Sequence, residues 1–296
     1  MKTESPTAKR MRIYTSAEEL SHLGEVVVSI GMFDGVHLAH RQILVRLVEK
    51  SRELKASAVV ISFQPHPREV LTGQPFPMIL TMEEKQELLE MAGVDVWICL
   101  PFTKSFSSLS PEEFIRFLQK RMRILHVVLG YNHGFGKGKQ GDIRLLSQWG
   151  ENYRFGVTEV PCLRLGQLEI SSSAIRSALL DGEITLANRL LGYPYLVRGT
   201  RSTGDGASAC PTSEPACPTS EPASAAAVVS GNDRMLEICV REEKLLPRCG
   251  CYLGRWNQRK VQVEIKESRK MVLLFQEKAP SVELLVKQPL YFIKQL

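Results

Sequence analysis

From residue 26 to about 192, short β-branched runs alternate with amphipathic helical stretches. A chain patterned this way closes by laying helices over a mainly parallel sheet. Strands are predicted at 26–30, 58–63, 94–100, 125–130 and 157–160. Between the first two, Ile43, Leu44, Leu47, Val48 and Leu54 recur at helical spacing, which completes one βαβ unit. Thr81 and Ser110 each stand three residues before a glutamate, the signature of a capping box, and Pro111 occupies a first helical position. A helical pair, 174–180 and 184–191, is stopped by Gly182 and Gly192.

The 296 residues leave room for two domains, and 44% apolar content supports a sizeable core. The first domain is expected over 1–196. Residues 197–231 read as a low-complexity linker, rich in Gly, Ser, Ala, Thr and Pro, with the heptad A-C-P-T-S-E-P at 209–215 and again at 216–222. A small all-β module follows over 232–296, with strands predicted at 235–240, 250–256, 260–266, 271–276 and 282–286. No apolar run is long enough to span a membrane, and residues 1–12 carry basic residues without an apolar stretch behind them. Neither a membrane nor a secretory route is expected, and the cytoplasm is the expected location. Seven cysteines, an odd number, are read as reduced thiols. The net charge of +6 comes from 38 basic and 32 acidic residues without a basic run, so no nucleic-acid partner is expected. That charge suits polyphosphate ligands.

Four constellations could carry chemistry. Gly31-Met-Phe33-Asp34-Gly-Val-His37-Leu-Ala39-His40 runs from the end of the first strand into the first helix. Parallel α/β folds take ligands at the carboxyl ends of strands, and a helix N-terminus offers free N–H groups to phosphate. The competing readings are two polar helix-start residues or a zinc pair, but H-x-x-H without a nearby third ligand is weak evidence for zinc. The second is Gly130-Tyr-Asn132-His-Gly-Phe135-Gly-Lys137-Gly-Lys139-Gln-Gly141-Asp142. Its G-x-G-x-x-G stretch starts too far from the strand for a dinucleotide fingerprint, and neither lysine precedes Ser or Thr as a Walker loop requires. A plain surface loop competes with a loop for a phosphorylated aromatic ligand. The third is Ser171-Ser172-Ser173-Ala-Ile-Arg176, where hydroxyls at a helix start are joined by a guanidinium that matches phosphate oxygens. Phe63-Gln-Pro65-His66-Pro67, closing the second strand, is either a ligand wall or a stiff turn.

Taken in order, these motifs resemble the prokaryotic FAD synthetases, FMN adenylyltransferases usually fused to a riboflavin kinase domain. The resemblance covers roughly residues 26–199. It implies an HxGH-type nucleotidylyltransferase fold, a Rossmann-like parallel sheet with helices on both faces, and the reaction of ATP with FMN to give FAD and pyrophosphate with magnesium. It implies catalytic roles for His37, His40, Asn132 and Arg176, and ATP contacts from Gly31, Phe33, Asp34, His37, His40, Ser172, Ser173 and Arg176. FMN contacts are implied for Phe63, Pro65, His66, Pro67, Asn132 and Phe135. Magnesium would bridge phosphates, with no protein ligands expected.

Two departures from the family pattern stand out. Ala39 replaces the glycine of HxGH and adds a methyl close to the nucleotide. Downstream, Glu214 stands where the kinase motif G-x-P-T-A-N has asparagine, and the catalytic glutamate strand is not recognisable. A carboxylate beside phosphates repels them, and a missing base cannot activate the riboflavin hydroxyl. The C-terminal module is therefore expected to be a riboflavin-kinase-like barrel remnant, and the chain a monofunctional FMN adenylyltransferase. The alternatives are a bifunctional kinase and synthetase, a non-catalytic flavin-binding regulator, and an HxGH transferase for another phosphorylated acceptor.

Overall fold

The computed structural model describes residues 10–131, 133–198, 227–228, 235–240, 243–266, 270–276 and 288–296. Asn132, Glu214, both heptads and the strand predicted at 282–286 lie outside them. By its internal contacts the chain forms two compact units, one of residues 1–76 and 80–170, the other of 77–79 and 171–296.

The first unit is built on six parallel strands: β1 (Arg12–Tyr14), β2 (Glu25–Ile30), β3 (Ser57–Gln64), β4 (Val96–Pro101), β5 (Arg123–Gly130) and β6 (Gly156–Val160). They lie in the order β1-β4-β3-β2-β5-β6. Every neighbouring pair is parallel. Val26, Val27, Val28 and Ile30 are all buried, the continuous apolar run of a strand covered on both faces. Alternation along the strands then sorts side chains by face. Val26, Val28, Ile30, Val59, Ile61, Val96 and Ile98 point into one core with Phe114, Ile115, Leu118 and Leu146. The last four come from helices α5 (Pro111–Gln119) and α6 (Ile143–Tyr153). Helix α1 (Leu38–Glu53) buries Leu44, Leu47 and Val48 and contacts β2, β3, β5 and β6. Both expected capping boxes form, Thr81 with Glu84 at the start of α3 (Met82–Met91) and Ser110 with Glu113 at α5.

The chain runs from β2 through β3 to β4 on one side, then crosses back to β5 and β6 on the other. The carboxyl end of β2 is therefore the topological switch point, where open α/β sheets bind ligands. The loop from β2 into α1 begins there. Among the described residues no helix is long and apolar enough to cross a membrane.

The second unit holds α7 (Ser172–Leu180), α8 (Ile184–Leu191) and a seven-stranded antiparallel sheet. Its strands are β9 (Leu196–Val197), β10 (Ala227–Val228), β11 (Met235–Cys239), β12 (Gly250–Trp256), β13 (Arg259–Ile265), β14 (Lys270–Phe275) and β15 (Leu290–Gln295). Four match the expected module, whereas β9, β10 and β15 were not predicted, and β10 falls within the segment read as a linker. β15 is the partner that joins β12 to β9. The helical pair packs with this sheet: the Asn188 amide donates to the carbonyl of Phe292 at 2.9 Å and accepts from the Tyr195 N–H at 2.7 Å.

Candidate active site

The β2–α1 loop is held in a backbone shape that its residues do not favour. Phe33 and Val36 have φ of 48° and 36°. For a β-branched residue such as Val36 this costs on the order of 1–3 kcal/mol, a strain that concentrates at functional sites. Phe33 is buried, and a Cβ at Gly31 would meet its ring at 3.3 Å. Glycine lets the strand end pass close over that ring.

The loop delivers two histidines to the start of α1. His37 is the N-cap, and its Nδ1 accepts the His40 N–H at 3.3 Å. A neutral imidazole accepting at Nδ1 carries its proton on Nε2. The two rings stack with centroids 3.6 Å apart, and the Phe33 ring lies 5.0 Å from that of His40. No acidic residue occupies the first turn of α1, so the partial positive charge of the helix N-terminus is left uncompensated there. Burial lowers His37 to about 4. It also lowers His40 far below its ordinary range, helped by His37, Lys85 and His133. His133, from the glycine-rich loop, is lowered to about 4 by burial and then by Lys139. The three imidazoles are therefore neutral at pH 7.

The Nδ1 of His40 and the Nε2 of His133 are buried with no hydrogen-bond partner. Orphaned buried polar atoms are rare in native proteins, and these two leave hydrogen-bonding capacity beside the start of α1. One consequence concerns acid. Between pH 6.5 and 4 the unfolded chain takes up a proton at His37 that the folded chain refuses, so stability falls as pH drops through this window. The loss from His37 reaches about 3 kcal/mol at most, with His133 acting in the same direction. Urea unfolding at pH 7.5, 6 and 5 should show it, and midpoints that rise on acidification would exclude it.

The other expected residues fall out as follows. Asp34 turns inward, 2% exposed, and its Oδ1 accepts the Leu80 N–H at 3.3 Å, so in this structure it supports the loop. Ala39 is half-buried on the first turn of α1. Phe135 is 6% exposed and packs in the core, with ring centroids 6.0 Å from Phe114 and 6.5 Å from Trp149. Its loop is built rather than slack. Phe135 and Gly141 exchange two backbone hydrogen bonds. A Cβ at Gly141 would meet the Phe135 ring at 2.6 Å, and one at Gly136 would meet the Pro111 backbone at 2.7 Å. Lys137 and Lys139 remain exposed.

Phe63 is half-buried among Phe102, Phe106 and Phe114. His66 caps helix α2 (Pro67–Thr72), its Nδ1 accepting the Arg68 N–H at 3.1 Å, and its ring lies 4.2 Å from Phe76. Pro65 follows a cis peptide bond. Ser172, Ser173 and Arg176 belong to the second unit. There Ser171 caps α7, and Arg176 donates to the carbonyl of Pro77. His133 and Lys85, which the structure brings to act on His40, are not singled out by the sequence motifs. The available signal for Lys85 was a lysine beside Glu84 on the face of α3 that also carries Leu89, all three of which are buried.

The family model described as FAD synthetase matches residues 19–174, more than half of the chain. Three similar curated proteins are each described as a bifunctional riboflavin kinase/FMN adenylyltransferase. That of Escherichia coli K12 is 37% identical over 181 residues, 60% of this chain and 58% of its own length. That of Listeria monocytogenes is 35% identical, over 60% and 57%. That of Pseudomonas fluorescens is 37% identical, over 58% and 56%. The chain thus spans little more than half the length of these relatives. A solved structure from Streptococcus pneumoniae, titled a macrolide-efflux protein, superposes with a TM-score of 0.75 over 97% of this chain and 90% of its own. At 21% identity that likeness is one of fold.

Proposed function

Because the chain belongs to the FAD synthetase family, we propose that it transfers the adenylyl group of ATP to FMN, giving FAD and pyrophosphate. The observation that carries this reading is the stacked pair of buried His37 and half-buried His40 on a helix N-terminus without acidic residues, at the switch point of the sheet. A phosphate oxygen of FMN attacks the α-phosphorus in line. The new P–O bond forms as the bond to the bridging oxygen of pyrophosphate breaks.

Such a step needs positioning and charge stabilisation more than a strong base. The Nε2–H of His37 and the first-turn N–H groups of α1 donate to phosphate oxygens. Neutral imidazoles carry no uncompensated buried charge before the substrate arrives, and phosphate charge then favours their protonation. Asn132, Ser172, Ser173 and Arg176 are proposed to contact the phosphates, and the segment 63–67 to border the flavin. Phe135 serves that flavin side by pinning the glycine-rich loop.

Magnesium would supply charge neutralisation on the phosphates. In this reading the chain's own residues bind and orient the nucleotide, and the ion would be carried by the phosphates. The proposal places the transfer in residues 1–196 of a cytoplasmic protein and regards 232–296 as a kinase-like remnant without riboflavin kinase activity.

The test supplies purified protein with ATP and magnesium plus either riboflavin or FMN, and separates the flavins by chromatography. FMN should be converted to FAD with release of pyrophosphate, and riboflavin should persist. FMN formed from riboflavin would make the chain bifunctional. Tight FAD binding without pyrophosphate release would make it a regulator.

A further inference from the structure

Helix α3 brings a lysine against the back of the β2–α1 loop. Lys85 is 2% exposed, and its Nζ donates to the carbonyl of Met32 at 3.0 Å. The ammonium lies 5.8 Å from the centroid of the Trp97 ring, and the buried Asp34 carboxylate favours its charged form. A buried cation is costly, and burial acts to lower Lys85. Residues 32 and 34, its neighbours on the loop, flank Phe33, one of the loop's two non-glycine residues held at positive φ. That strain persists only if the surroundings over-determine the loop.

The charged and titratable groups that act on His40 are His37, Lys85 and His133, and those that act on Lys85 are Asp34 and Cys99. Lys85 thus brings a lysine ammonium, whose charged form Asp34 favours, to the groups that act on His40. Without it the Met32 carbonyl would lose its bond, the loop could relax, and the first turn of α1 would lose its fixed aim.

We propose that Lys85 is a positioning residue for the nucleotide phosphates: by clamping the Met32 carbonyl beside Asp34 it holds the strained β2–α1 loop and aims the N-terminus of α1, with His40, at the ligand. This rests on the FAD synthetase reading, and the test separates the two.

Lys85→Met keeps the side-chain length and removes the donor, whereas Lys85→Arg keeps the charge. In the Met variant KM for ATP should rise and kcat fall, each on the order of tenfold or more, with KM for FMN within twofold of the parent. In ligand-free protein, NMR titration of the His40 ring should move upward in the Met variant and stay near the parent value in the Arg variant. Parent-like ATP kinetics together with a parent-like His40 titration in the Met variant would overturn the proposal.

If the Met variant does not fold, the parent protein gives the answer. The Lys85 Nζ signal in 15N-lysine-labelled protein should shift on addition of α,β-methylene-ATP without FMN, and an unmoved signal overturns the proposal. If the parent makes no FAD, the functional reading fails, while the His40 titration and the analogue experiment still decide the role of Lys85.

Discussion

His37→Asn should lower kcat for FAD formation by about 10²–10³-fold, the loss seen when one preorganised donor to a charged transition state is removed. Asparagine is among the best N-cap residues, so the start of α1 should persist and the fold should be retained. What disappears is the imidazole that stacks on His40 at 3.6 Å, with its Nε2–H. Single-turnover measurement with ATP and FMN separates the chemical step from release. A variant that turns over like the parent would remove His37 from the mechanism. Far-ultraviolet circular dichroism that matches the parent would assign the loss to chemistry rather than unfolding.

Phe135→Ala should have the second large effect, on stability. The ring lies in the core of the first unit with Phe114, Leu146, Phe155 and Ile115, and emptying such a site costs about 3–5 kcal/mol. For a unit of this size the corresponding fall in melting temperature is on the order of 10 °C. The glycines around it make a second consequence specific. Gly141 has no Cβ because the Phe135 ring occupies that space, so removing the ring also removes the template on which the loop folds back. Amide exchange at Phe135 and Gly141, whose N–H groups bond to each other's carbonyls, should accelerate more than exchange in β2. Equal protection in parent and variant would mean that the loop holds itself.

These predictions differ in how visible their basis was before the fold was known. The histidine pair follows from local signals: a β-branched run, a glycine-rich break, and H-x-x-H at a helix start. Helix boundaries were equally legible, since Thr81 with Glu84 and Ser110 with Glu113 encode their own capping geometry. Phe135 could be read two ways, because an aromatic between glycines in a loop gives no sign of whether it faces a ligand or the core. Only α5 and α6, which supply Phe114 and Trp149, make it a core residue.

The C-terminal strands show the same division. The strands β12 and β13 were legible as runs at 250–256 and 260–266, and the structure joins them as a hairpin through Asn257 and Gln258, both at positive φ. β15 pairs with β12 and β9, strands far away in sequence, and no local turn announces it.

The sequence by itself determined the α/β alternation, the capped helix starts and the place of His37 and His40 at the end of a strand, because periodicity, capping and strand-to-helix breaks act between residues a few positions apart. Tertiary structure alone decided the rest. It set the strand order that makes the end of β2 a switch point, buried His37 and the Nδ1 of His40, and brought His133 and Lys85 to bear on His40. Those outcomes depend on which distant segments pack together, and burial and electrostatic coupling exist only after that packing has excluded water.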